Sequence, residues 1–237
     1  MPRLHKEEQE QIAYGERLKD FIFGFDDGLI TTLAIVSALT GAGVPNLVII
    51  FAGIANILAD GLSMSLGGYI SSKSQKEVYE KAIEKQMEEI ETKPKVKKED
   101  IRNIYRKKGF KGKVLEKIVR TIASDKKIFL ETLMKEKLGF SREVIAEPKK
   151  VGTTIFISFI LAGLIPIAPY FLLRSDVALT IALILSFLSL FVLGAAKTVY
   201  TGKNWLKSGL ELFVVGFIAA SASYFIGSLA HYPKKIF

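Results

Sequence analysis

The chain of 237 residues contains no cysteine, and its two histidines, His5 and His231, lie near opposite ends. Without cysteine there can be no disulfide and no thiolate metal site. With so little imidazole, any metal chemistry must rest on carboxylates, amides, carbonyls, water and thioether sulfur. That donor set suits hard or borderline divalent ions better than copper(I). Also missing are a His-Glu-x-x-His pair, a Glu-x-x-His pair, a phosphate-binding glycine loop and a Ser/His/Asp constellation, so an enzyme is the weakest class. Acid is scarcer than base, with 24 Asp and Glu against 33 Lys and Arg and a net charge of +9. The Lys- and Glu-rich, cysteine-free composition fits a heat-adapted prokaryote.

What the chain has is apolar length. Hydrophobic residues make up 49% and mean hydropathy is +0.29, and the apolar residues gather into runs at both ends. A bilayer is spanned by about 20 apolar residues. Five stretches qualify: Lys19–Ala42, Asn46–Ser72, Val151–Leu173, Val177–Tyr200 and Trp205–His231. The first is not a cleaved signal, because a charged arm, Lys6–Lys19, precedes it and its core carries acids. The sequence therefore predicts an all-α membrane protein with five transmembrane helices and a small cytoplasmic helical insert between helices 2 and 3. Its parts are residues 1–72 (arm and spans one and two), 73–150 (insert) and 151–237 (spans three to five). Loop charge sets the orientation. Arg3, Lys6, Arg17 and Lys19, the basic insert, and Lys197, Lys203 and Lys207 place the N-terminus, the insert and the last turn in the cytoplasm. The C-terminus falls outside, against a mild opposing charge from Lys234 and Lys235.

The insert, Lys73–Lys150, holds 23 basic and 14 acidic residues, a net of +9. Helix signals run along it. Lys73–Glu91 continues span two, Lys93-Pro94-Lys95 breaks it, Asp100–Lys108 is closed by Gly109, and Lys113–Ala123 puts Val114, Leu115, Ile118, Val119 and Ile122 on one face. Ser124 or Asp125 caps a last helix that stops at Gly139. In the first helix Glu77, Glu80, Glu84, Glu88 and Glu91 fall within one arc of roughly 80°, beside an apolar arc of Tyr79, Ile83, Met87 and Ile90. The acidic arc reads either as a solvated face or as a presentation of carboxylates to a divalent ion. The basic remainder suits anionic lipid headgroups. Nucleic acid is a poor partner for a segment tethered to the membrane at both ends.

The acids within the spans are the strongest functional signal, because a carboxylate at bilayer depth costs several kcal/mol and usually faces a partner or a wet path. Asp27 lies roughly 12 Å along a helix from Lys19, and Asp60 roughly 18 Å from Ser72. In antiparallel neighbours the two stand at similar depth. Asp26 points about 100° away from Asp27. Gly24, Gly28, Gly61, Gly67 and Gly68 allow close helix approach. Pro166 and Pro169 kink span three, and Glu211 either orients an entrance or pairs with Lys207 at i−4.

The order and spacing of several motifs resemble the vacuolar iron transporter family. Gly24-Phe25-Asp26-Asp27-Gly28-Leu29 matches the family's Gly-x-Asn-Asp-Gly-Leu except at Asp26. Ser63-Met64-Ser65-Leu66-Gly67-Gly68-Tyr69 matches Ser-Met-x-x-Gly-Glu-Tyr except at Gly68. Ile104-Tyr105, Gly109 and Glu136-Lys137-Leu138-Gly139 fall in place in the insert. Lys197, Gly202, Ser208-Gly209, Glu211, Gly216, Tyr224 and Gly227 do so near the end. The resemblance implies a multi-pass homodimer in the cell membrane that exports Fe²⁺ or Mn²⁺ from the cytosol by proton antiport and holds no tightly bound cofactor. It places Asp27 and Met64 in the path as metal ligands. A family glutamate falls on Asn56, so Asp60, one turn away on the same face as Asn56 and Met64, is the candidate replacement. It also implies a metal-binding insert, whose ligands align with Gln86, Glu89, Lys97, Asp100, Leu133 and Lys137. Only Glu89 and Asp100 are acidic there, with Glu77, Glu80, Glu84, Glu88 and Glu136 as possible substitutes. The competing reading is a membrane-anchored metal- or lipid-binding scaffold that transports nothing.

Overall fold

The structure is a computed structural model that describes residues 6–140 and 146–230. His5, His231, Arg3, Lys234 and Lys235 lie outside the described residues. The described chain is helical, and five of its helices are long and apolar enough to cross a membrane. In order they are α1 (Lys6–Gly41), α2 (Asn46–Thr92), α3 (Pro94–Lys107), α4 (Gly112–Ser124), α5 (Lys126–Thr132), α6 (Pro148–Ile167), α7 (Ser175–Ala196), the single turn α8 (Thr198–Thr201) and α9 (Trp205–Leu229). Helices are expected of such segments, because the bilayer core offers no hydrogen bonds and each backbone group must find its partner within its own helix. The chain divides into two compact units, one of residues 1–69 and 148–237, the other of residues 70–147.

In the first unit α1 packs along α6 and α9, and α7 along α9. The shared core includes Leu33, Val36, Ile49, Ile57, Phe159, Ile167 and Tyr170. Several crossings are nearly backbone on backbone. A Cβ added to Gly28 would lie 2.5 Å from the Phe159 carbonyl oxygen, and one added to Gly227 would lie 1.9 Å from that of Ala38. Membrane helices gain little from burying apolar surface against one another, so close van der Waals approach of this kind carries the association.

The ends of the spans are closed by specific polar contacts. At the end of α1, Gly43 adopts a left-handed φ of 70°. Its N–H donates to the Thr40 carbonyl and that of Val44 to the Leu39 carbonyl, a glycine-terminated stop that satisfies the last carbonyls. In span three Pro166 lies inside α6, and the chain tightens into a 3₁₀ turn, Ala168–Phe171, around Pro169. The carbonyls freed there are met by a side chain from α2: Asn46 Nδ2 donates to Tyr170 O at 3.1 Å and to Leu173 O at 2.6 Å. The Tyr170 hydroxyl bonds Thr40 Oγ1 at 2.7 Å. Span four ends earlier than the sequence suggests, at Ala196, with α8 and a left-handed Gly202 leading into α9.

The second unit is built on the far half of α2, which runs unbroken to Thr92. Ile90, Ile101, Leu115, Val119, Ile122, Phe129 and Leu133 form its core. Proline opens α3 at Pro94, earlier than the Asp100 start expected from the sequence, because proline fits the first helical turn. Gly109 closes it with a φ of 97°. Asp125 caps α5, its carboxylate accepting from the Lys127 and Ile128 amides at 2.8 and 3.1 Å. The helix then widens into a π turn, Leu133–Lys137. Val114 is exposed, at the edge of the face on which the sequence reading had placed it.

The backbone crossing at Gly28 makes a specific demand. Gly28→Ala must push α1 off α6, at a cost of about 1–3 kcal/mol. A Cβ at Gly61 meets only ring carbons of Phe159 and Phe156, at 3.2–3.7 Å, which can rotate away. Thermal unfolding in detergent is expected to show a clear loss for Gly28→Ala and a small one for Gly61→Ala. Equal midpoints would show that the crossing carries no stability.

Candidate translocation site and the charged cluster of the insert

Asp27 sits on α1 between Gly24 and Gly28, which press that helix against Ile155, Ser158 and Phe159 of α6. The neighbouring face of α1, bearing Asp27, is left half-buried. On α2 the helical repeat sorts residues into four stripes. Ile57 and Gly61 are buried, and Ser65 donates to the Gly152 carbonyl at 2.9 Å, so this stripe faces α6. Leu58, Leu62, Leu66 and Ile70 on one flank are exposed. On the other flank Asn56, Asp60 and Met64 are half-buried, and beyond them Ala55, Ala59, Ser63 and Gly67 are exposed. Met64 is braced against the core cluster.

The fold brings Asp27 and Asp60 within electrostatic reach of each other. Neither carboxylate forms a hydrogen bond or ion pair with a described residue. The Asn56 Nδ2 is buried and also lacks a hydrogen-bond partner among the described residues. Two acids and an amide are thus held partly out of solvent, with the carboxylates and the amide nitrogen unpaired among the described residues.

Asp26 occupies a different setting. Its Oδ1 is buried without a hydrogen-bond partner among the described residues, and the charge of Lys197 is felt there. Lys197 in turn lies 3.5 Å from Glu211. Glu211 therefore pairs across from α9 to the end of α7 and not with Lys207 in its own helix. Along the sequence Lys197 stands out as a loop charge and a landmark; its closeness to Asp26 and Glu211 depends on how the helices pack.

In the second unit the acidic arc of α2 is solvated. Glu77, Glu80, Glu84, Glu88 and Glu91 are exposed. Glu77 lies 3.6 Å from Lys73 and Glu80 3.7 Å from Lys76, while Glu91 pairs with Lys126. The two acids retained at the aligned ligand positions are also engaged: Glu89 pairs with Lys97, and Asp100 with Lys97 and Lys137. Glu136 pairs with Lys108. Arg102 bridges Glu99 and Glu116. Among the described residues, no three His, Cys, Asp or Glu side chains are placed to hold a metal ion together. Elsewhere on this unit Arg106, Lys111, Lys113, Lys117 and Arg120 line one open basic groove.

A five-span helical bundle with uncommitted carboxylates at membrane depth defines an integral membrane protein of the transporter class. The chain belongs to the VIT family, which it matches over residues 18–228. It is 31% identical over 222 residues to a vacuolar iron transporter of Centaurea cyanus, covering 93% of this chain and 91% of that one. It is similar to vacuolar iron transporter 1 of Arabidopsis thaliana, at 28% over 225 residues, 94% of this chain and 90% of the relative. A vacuolar iron transporter of Toxoplasma gondii shares 31% over 235 residues, 95% and 78%. These relatives are transporters and not enzymes, in agreement with the reading of the sequence.

The ion pairs of the insert give it an acid-labile component. Hydrogen bonds and charge from Arg102 hold the Glu116 carboxyl below its ordinary value, and Lys126 does the same to Glu91. A carboxyl whose folded value is depressed stabilises the fold above its unfolded value, about 4.3, and loses that contribution as pH falls through the folded value. Hydrogen exchange of α3 and α4, corrected for intrinsic rate, is expected to stay constant from neutral pH to about 4.5 and to accelerate below it. Arg102→Gln should flatten that acid limb; an unchanged limb would assign it to other groups.

Proposed function

We propose that the chain is a divalent-metal transporter that moves Fe²⁺ or Mn²⁺ out of the cytosol in exchange for protons. The observation that carries this reading is the pair of uncommitted, half-buried carboxylates, Asp27 and Asp60, on adjoining helices at membrane depth. A divalent ion binds carboxylates in their deprotonated form. Ion and proton therefore compete for the same oxygen atoms, which is the minimum condition for antiport. Asn56 adds a neutral oxygen, and Met64, one turn from Asp60, adds a thioether that favours Fe²⁺ over Mg²⁺ or Ca²⁺. The names of the relatives support iron as cargo. In this reading the N-terminus and the insert face the cytosol, where the basic insert also suits an anionic membrane surface.

The transporter is proposed to work as a homodimer. The exposed ridge Ala55, Ala59, Ser63 and Gly67 has the small-residue spacing that lets membrane helices meet closely. It borders the Asn56–Asp60–Met64 stripe, so a two-fold contact there would close that stripe off from lipid. The absence of native cysteine makes a direct test possible. Single Ala59→Cys and Ser63→Cys proteins are expected to form disulfide-linked dimers in liposomes under mild oxidation, whereas Ile184→Cys on the exposed face of α7 stays monomeric. The reverse pattern would move the interface to another helix.

Transport itself is tested at Asp27. Asp27→Asn keeps the size and much of the hydrogen bonding but removes the titratable charge. In proteoliposomes under a proton gradient it is expected to abolish Fe²⁺ and Mn²⁺ movement while the protein stays folded. Asp60→Asn should retain a part and Asp26→Asn most of it, and transport should weaken as the cytosolic side is acidified. Near wild-type rates with Asp27→Asn would exclude this mechanism, and no metal flux in the wild-type protein would favour the scaffold.

A further inference from the structure

The metal site that family resemblance implies for the insert does not fit the side chains present, and the misfit has a structural cause. Lys97, on α3, is only 3% exposed. Its ammonium donates to Gln86 Oε1 at 2.9 Å, pairs with the Glu89 carboxylate, and lies 3.7 Å from Asp100 Oδ2. One amide oxygen and two carboxylates around a buried point is the donor set that a hard divalent ion uses. An ammonium has three N–H donors and no acceptor; the Gln86 and Glu89 oxygens accept from it, and the Asp100 carboxylate adds its charge at longer range. We propose that Lys97 is the resident cation of the insert, occupying the place a divalent ion would take, so that the insert assembles and works without metal.

Charge within the cluster supports this. Lys137 Nζ, carried on the π turn, donates to Asp100 Oδ2 at 2.6 Å. Two ammonium groups therefore balance two carboxylates, and a divalent ion entering here would meet a neutral cluster with two cations in direct opposition. The contacts join α2, α3 and the π turn, the three pieces that a bound ion would have to draw together. The remaining paired acids offer no alternative: Glu77, Glu80, Glu91, Glu99, Glu116 and Glu136 each lie against a lysine or arginine. Insert assembly then does not depend on cytosolic metal, and the insert is a constitutive part of the protein and not a metal-loaded switch.

The test is hydrogen exchange measured by mass spectrometry on the full chain in detergent, following peptides within residues 80–107, in EDTA and with saturating Mn²⁺. Wild-type exchange in this segment is expected to be the same in both. Lys97→Glu makes the cluster strongly acidic. Its exchange should accelerate at least about tenfold in EDTA and return toward the wild-type rate with Mn²⁺, and Glu89→Gln added to it should abolish that recovery. Should Lys97→Glu fail to fold, Lys97→Met removes the ammonium while keeping most of its volume, and Mn²⁺ should slow exchange in that variant. Slowing of the wild type by Mn²⁺ that Glu89→Gln removes would overturn the proposal, as would indifference of both Lys97 variants to Mn²⁺. The readout is local to the insert, so it is decided separately from transport at Asp27.

Discussion

How closely α1 can approach α6 and α9 governs the membrane unit. Lipid solvates an apolar helix about as well as another helix does, so burial alone does not hold spans together. What holds them is contact at nearly backbone distance, at Gly28 against Phe159 and at Gly227 against Ala38. These crossings fix the rotation of α1. Once Gly24 and Gly28 face α6, Asp27 must fall on the flank between packed and open surface. The same logic operates on α2, where Gly61 and Ser65 turn toward α6 and leave Asn56, Asp60 and Met64 together on one side. Small residues and carboxylates in these spans are parts of one device: the first set the rotation that gives the second their position.

The two units treat charge in opposite ways. In the membrane unit Asp27 and Asp60 have no ion-pair partner among the described residues, although an acid within a membrane span is costly. In the insert even the buried charge is compensated, as Lys97 shows between Gln86, Glu89 and the nearby charge of Asp100. Removing a partner would leave the buried Lys97 ammonium short of acceptors, so this cluster holds the insert together alongside its apolar core. The net +9 of the chain is therefore not uniformly free charge. Part of it is committed to internal pairing, and part, on α4 and the loop before it, faces solvent.

Much of the architecture was legible along the chain because it follows from local rules. Apolar length marked the five spans, Gly109 and Gly139 marked helix ends, and Ser124 or Asp125 marked a cap. Each depends on residues within a few positions, and the backbone satisfies the same rules wherever the segment lies. Asp27 and Asp60 also stood out, since an acid in a 20-residue apolar run is conspicuous whatever surrounds it. Helical spacing alone put Asn56, Asp60 and Met64 on one face.

Contacts between segments distant in sequence were another matter. That Glu211 meets Lys197 and not Lys207, that Asn46 closes the proline turn of span three, and that Lys97 is buried among Gln86, Glu89 and Asp100 all depend on which helices pack and at what rotation. A lysine in a basic segment reads as solvated charge, and nothing in its sequence neighbourhood shows that it is enclosed. The sequence by itself determined the spans, the helix ends and the presence of acids at membrane depth, because these depend on local hydrogen bonding and hydropathy. Only the tertiary structure decided which of those charges are neutralised and which stay uncommitted, because that depends on distances between side chains far apart along the chain.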